Sequence, residues 1–238
     1  MIVAQIALLM AQAVVPGAVA TPADVARVTA RAQPVLDRYD AAVRRCGARP
    51  PFKPAIQVAA SDGIIHYDAP TGRLVLYPWT VVGGEMKAVA VDRAARQGGD
   101  AREGYESIFN ELLVAHELGH WLQGFQPERR TAAGRYDNWF AEQNANRLMV
   151  AFWRENPGSG ATGRTRLESY VDRETPNPMP PPAGTSLEQF FTDDTMRIVR
   201  GGGYGWYQGE MTRRALAERP QPRFCALVAE WLPLRDRR

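Results

Sequence analysis

The chain has 238 residues, 45% of them hydrophobic, and no long polar low-complexity run, so it can bury one sizeable core and needs no more than one domain. Its net charge of +3 comes almost wholly from arginine, Lys53 and Lys87 being the only lysines, and the basic residues are scattered among acidic ones. That pattern describes a solvated mixed surface and argues against a nucleic-acid or anionic-membrane patch.

Residues 1–20, MIVAQIALLMAQAVVPGAVA, carry no charged side chain and end in the small-x-small pattern Ala18-Val19-Ala20, which reads as a secretory signal peptide with 21–238 as the mature domain. The basic residue usual at the start of such a segment is missing, and the alternative is an uncleaved N-terminal anchor, the only route by which a membrane would enter. Either reading places the remainder outside the cytoplasm, periplasmic or secreted. Two cysteines, Cys46 and Cys225, suit an oxidising space and are read as one disulfide closing 179 residues, against the alternative of two buried free thiols.

Thr21-Pro22 looks like an N-cap followed by proline at the first helical position, and the apolar spacing from Val25 to Cys46 predicts a helix, kinked at Pro34 and stopped at Gly47. Three short β-branched or aromatic runs follow, 56–60, 64–68 and 73–78, separated by Ser61-Asp62-Gly63 and by APTG (69–72). They predict a small antiparallel sheet with 73–77 as an edge strand. A weaker helical pattern covers 85–97, and one helix is expected over about 102–123, ended by Gly124. On a wheel of 100° per residue with His116 at zero, Phe109 falls near ~20°, His120 near ~40° and Leu113 near ~60°, so the histidines share an apolar face. Asp137 is a candidate N-cap for a helix over 138–155, Ser186 and Gln189 form a capping-box pattern, and 206–218 and 223–232 look helical again.

Only three histidines occur in the chain, and two of them, His116 and His120, sit in HELGH with Glu117 between. On a helix, residues i and i+4 project in nearly the same direction, so two imidazoles can each place a nitrogen on one cation. A carboxylate at i+1 lies beside that cation rather than on it, which suits a general base acting on a metal-activated water. A chance match to this pattern in a chain of this size is expected well below one time in ~100. A catalytic zinc takes three protein ligands and keeps one position open. His66 reads as a surface or packing residue and no histidine follows His120, so a carboxylate must complete the set: Glu142, Glu128 or Glu155.

HELGH at 116–120, followed 22 residues later by EQNAN at 142–146, resembles the gluzincin group of zinc metallopeptidases. The likeness covers roughly residues 105–155. It implies a mainly helical α+β zincin-like domain, with the small sheet preceding the active-site helix. It also implies Zn²⁺ held by His116, His120 and Glu142, with Glu117 as base and Asn146 supporting a ligand histidine. Asn146 stands where that group commonly carries Asp, so it brings an acceptor without a negative charge. The loop between the two helices is long enough to reverse the chain, and Gly119 with Ala145 offers a close crossing, both in favour of Glu142. A tetrahedral oxyanion needs a further donor, which similar enzymes draw from later in the chain. Tyr204 and Tyr207 are the candidates, with Arg200 next.

The function expected is thus hydrolysis of peptide bonds in a polypeptide substrate. The alternatives are a non-catalytic, zinc-stabilised binding or chaperone-like protein of the cell envelope, and amide hydrolysis on cell-wall peptides. Neither specificity nor oligomeric state is written in the sequence.

Overall fold

The computed structural model describes residues 19–60, 62–126, 128–156, 163–171 and 177–232. The signal-peptide segment therefore lies outside the described residues except for Val19 and Ala20. Among the described residues no helix is long and apolar enough to cross a membrane.

Elements run in the order α1 (Pro22–Arg45), β1 (Ala55–Val58), β2 (His66–Asp68), β3 (Arg73–Leu76), α2 (Gly84–Gln97), α3 (Ala101–Ser107), a π-helical turn (Ile108–Leu112) and α4 (Val114–Gln123). After these come α5 (Asn138–Glu155), α6 (Gly163–Tyr170), α7 (Leu187–Arg200), α8 (Tyr204–Ala217) and α9 (Phe224–Trp231). The chain is mainly helical with one small sheet, an α+β composition. Contacts among the described residues divide them into two compact units, those of 19–41 with 50–121 and those of 42–49 with 122–232.

In the first unit α1 starts as its sequence indicates. Asp24 N–H donates to Thr21 Oγ1 at 3.2 Å and Thr21 N–H donates back to Asp24 Oδ2 at 3.0 Å, a reciprocal cap that satisfies two otherwise orphaned donors. Pro34 lies inside one continuous helical span. Val28, Ala32, Val35, Leu36 and Tyr39 recur at three- and four-residue steps and are buried. α1 is tied to α3 through Glu106, whose carboxylate is 1% exposed and takes Arg27 Nε at 2.6 Å, Arg102 Nε at 2.7 Å and Arg31 Nε at 3.2 Å. A buried carboxylate is tolerable only with such charge-assisted partners.

The sheet corrects the expectation of an all-antiparallel arrangement. Its order is β1-β3-β2, with β1 parallel to β3 and β2 antiparallel to it. β3 is central, not an edge. Its sequence carried the reason: Leu74, Val75 and Leu76 are consecutive apolar residues, all buried, which means cover on both faces, whereas β1 alternates exposed and half-buried positions. The expected β2–β3 hairpin forms around Gly72, whose φ of 66° belongs to the left-handed region that glycine enters at little cost.

The single helix expected over 102–123 is also corrected. It is broken by the π-helical turn, where Leu113 N–H reaches Ile108 O at 2.9 Å, and helix resumes at Val114. The wider turn inserts about one residue and rotates everything upstream by about 100°, so Phe109 does not share a wheel with His116. Phe109 stacks on Tyr105 at 4.8 Å between ring centroids, and Tyr105 belongs to a core cluster with Val75, Tyr77 and Val82. Burial pushes the Tyr105 phenol far above its ordinary pKa, and its hydroxyl donates to Tyr77 O.

In the second unit α5 is the hub, contacted by α6, α7, α8 and α9. Asp137 caps it as expected, accepting from Phe140 N–H at 3.0 Å, and Ser186 caps α7 by accepting from Gln189 N–H. Trp139, Phe190, Phe191, Ile198, Tyr207 and Met211 form the core between α5, α7 and α8. Cys46 and Cys225 are bonded to each other, joining the end of α1 to α9 across 179 residues. In the chain-entropy account a loop of that length restrains the unfolded ensemble by about 4–5 kcal/mol. The double variant Cys46→Ser/Cys225→Ser is expected to lose most of this in urea unfolding, and wild type under reductant should follow it; an unchanged midpoint would contradict the assignment.

Candidate metal centre

Helix α4 is apolar around nearly its whole circumference: Val114, Ala115, Leu118, Trp121 and Leu122 are buried, as are His116, Glu117 and His120. Three polar side chains in such a helix each need a purpose, because a buried polar group without a partner costs roughly 1–3 kcal/mol. The imidazoles of His116 and His120 meet nearly edge to face, with planes at 82° and Nε2 atoms 3.2 Å apart. Two nitrogens each 2.0–2.1 Å from one tetrahedral ion would lie ~3.3 Å apart. The pair is therefore spaced as two ligands of one ion are.

Glu117 is held from the sheet. Its Oε2 accepts the backbone N–H of Tyr67 at 3.0 Å. β2 is an edge strand bonded to β3 on one side only, so the N–H of Tyr67 that points away from β3 can serve the carboxylate.

Glu142, in the first turns of α5 and 4% exposed, is gripped by α8. Tyr204 Oη donates to Oε1 at 3.0 Å and Gln208 Nε2 donates to Oε2 at 2.7 Å. Both donors are neutral, so they orient the carboxylate while leaving its charge in place for a cation. The buried group His116, His120 and Glu142 offers ligand atoms that all lie within 4.8 Å of one another and could hold a metal ion. Two nitrogens and one carboxylate oxygen are a donor set suited to a borderline divalent metal.

The remaining expected residues are distributed differently. Asn146 donates through Nδ2 to Glu142 O at 3.0 Å and Gln208 Oε1 at 2.9 Å, and the oxygen expected to serve an imidazole accepts from Thr212 Oγ1 at 2.7 Å. Tyr207 is buried in the core around Phe190 and Phe191, and its hydroxyl donates to Met179 O at 2.9 Å. Burial raises its pKa. Arg200 is exposed at the end of α7. Glu155 accepts from Phe224 N–H at the start of α9, and Glu128 pairs with Arg130, so neither joins the metal group. His66 places Nδ1 3.0 Å from Ile64 O.

Three contributors escaped the sequence reading: the Tyr67 N–H, Gln208 and Thr212. The first is a backbone group and leaves no residue-type signal. Tyr204, Gln208 and Thr212, by contrast, follow at i, i+4 and i+8 along α8, a polar stripe that lies on one face of a helix. Tyr136, just before α5, feels the same carboxylate: burial, then the charges of Glu142, Glu128 and Asp137, push its phenol up to about 12. No family model matches the chain, and neither a curated protein nor a solved structure matches it.

Proposed function

We propose that the chain is an exported zinc peptidase that hydrolyses peptide bonds, with His116, His120 and Glu142 holding the ion and Glu117 as general base. The observation that carries this reading is the anchoring of Glu117 by Tyr67 N–H one residue from a histidine pair spaced for metal. A site that only stabilised the fold would need no buried carboxylate at that place.

A bound zinc ion supplies a water acidified towards pH 7 and a Lewis acid for the scissile carbonyl. Glu117 takes a proton from the attacking water and returns it to the departing amine, so the carboxylate ends the cycle as it began. The Tyr67 N–H fixes Oε2 and with it the plane in which the proton is exchanged. The Tyr204 hydroxyl, whose one hydrogen is held by Glu142 Oε1, would have to turn from that carboxylate to meet negative charge developing on the carbonyl oxygen. The disulfide supports an oxidising compartment for the folded chain.

The test is metal analysis of the purified protein together with digestion of a diverse peptide library before and after chelation. Close to one zinc per chain, with cleavage lost on chelation and restored by zinc, is the expected result. Stoichiometric zinc without cleavage would return the protein to the non-catalytic, zinc-stabilised binding class, and absence of zinc binding would remove the metal centre altogether.

A further inference from the structure

We propose that Thr212, Asn146 and Gln208 form a hydrogen-bond relay of fixed direction that positions Glu142 as a metal ligand, and that an amide, not an acid, is required at position 146. The proposal rests on the metal-centre reading above and adds to it three residues that position Glu142.

The direction follows from donor and acceptor chemistry. An ionised carboxylate only accepts. Glu142 Oε2 therefore compels Gln208 to present its NH₂ group, at 2.7 Å, which turns Gln208 Oε1 the other way. That oxygen needs a donor and receives Asn146 Nδ2 at 2.9 Å. The second hydrogen on Asn146 Nδ2 goes to Glu142 O at 3.0 Å, so the NH₂ end of Asn146 is fixed by two acceptors and its Oδ1 must face Thr212. Thr212 Oγ1, with one hydrogen to give, stands 2.7 Å from it and 2.9 Å from Gln208 O, and donates to the nearer oxygen. Donation thus runs Thr212 to Asn146 to Gln208 to Glu142 without a reversal.

Water cannot easily take the place of any member, since Glu142, Gln208, Asn146 and Thr212 are respectively 4, 7, 1 and 0% exposed. The spacing is helical on both sides: Glu142 and Asn146 are i, i+4 on α5, and Gln208 and Thr212 are i, i+4 on α8. All four members are neutral except the carboxylate itself, so the relay sets the orientation of Glu142 and leaves its full charge for the ion. Aspartate at 146 is nearly the same shape but has no hydrogen for Gln208 Oε1. Gln208 would then turn over to donate to the aspartate, and its oxygen would oppose Glu142 Oε2, two acceptors in a buried site.

The experiment compares zinc affinity, by competition with a chromophoric chelator, in wild type, Asn146→Asp and Gln208→Met, alongside the visible spectrum of each cobalt(II)-loaded protein. Zinc binding is expected to weaken by about 10–100-fold in both variants, as for other residues that orient a ligand. The cobalt spectrum, which follows ligand geometry, is expected to change in each variant that folds. Wild-type affinity and spectrum in both variants would overturn the relay, whatever their melting temperatures. If Asn146→Asp does not fold, Gln208→Met decides alone. A wild-type chain that binds no zinc overturns the metal centre and the relay together, so the two failures are told apart.

Discussion

Glu117→Gln is expected to keep its zinc and lose peptide cleavage by about 10²–10⁴-fold, the usual contribution of a positioned acid–base group. The substitution is close to isosteric. The amide oxygen of glutamine can still accept from Tyr67 N–H, so the contact between β2 and α4 survives, and no atom of the metal group is removed. What disappears is a group able to hold a proton between the attacking water and the leaving amine. The loss should fall on kcat and on kcat/KM alike, since the interaction exists chiefly in the transition state. Zinc content is read by atomic emission and rate on fluorogenic peptides drawn from the library digestion. Cleavage at the wild-type rate would remove Glu117 from the reaction and with it the role proposed for HELGH.

His120→Asn should show the complementary behaviour: retained fold, lost ion. The variant leaves one imidazole and one carboxylate, too few donors for a tight site. A ligand present at 100 times its Kd stabilises the folded state by about 2.7 kcal/mol, so wild type should melt higher in added zinc and the variant should not. Without zinc the variant should unfold within about 1 kcal/mol of metal-free wild type, because the exchange takes a buried imidazole out of close approach to a second one, 3.2 Å away, and substitutes a smaller polar side chain. A zinc-dependent rise in the variant equal to that of wild type would show the ion bound elsewhere.

Much of this arrangement was legible before any coordinates. The boundaries of α5, its Asp137 cap, the Ser186 cap, the Thr21 start and the Cys46–Cys225 bond depend on local chemistry or on a count of two, which a sequence displays directly. HELGH was legible for the same reason, since its geometry is contained in one helical turn. The errors arose where a property belongs to more than one segment. Whether 73–76 is central or marginal depends on which strand returns to which side, although three consecutive apolar residues were a usable hint. The π-helical turn adds a residue without a signature, and the wheel drawn through it lost phase. Tyr204 and Tyr207 are near neighbours with opposite fates, one on Glu142 and one in the core, because residues three apart on α8 diverge by about 60° and only the packing of α5 and α7 selects between them.

The bond from Tyr67 N–H to Glu117 ties the proposed general base to the alignment of a strand. Successive backbone amides of a strand point alternately towards and away from the partner strand. If β2 slid by one residue against β3, a carbonyl oxygen would face the carboxylate where an amide hydrogen now stands, and attraction would become repulsion. The four-residue bend at 69–72, which sets that alignment, thereby acts as a remote tuning peg for the proposed base, with no change in the helix that bears it.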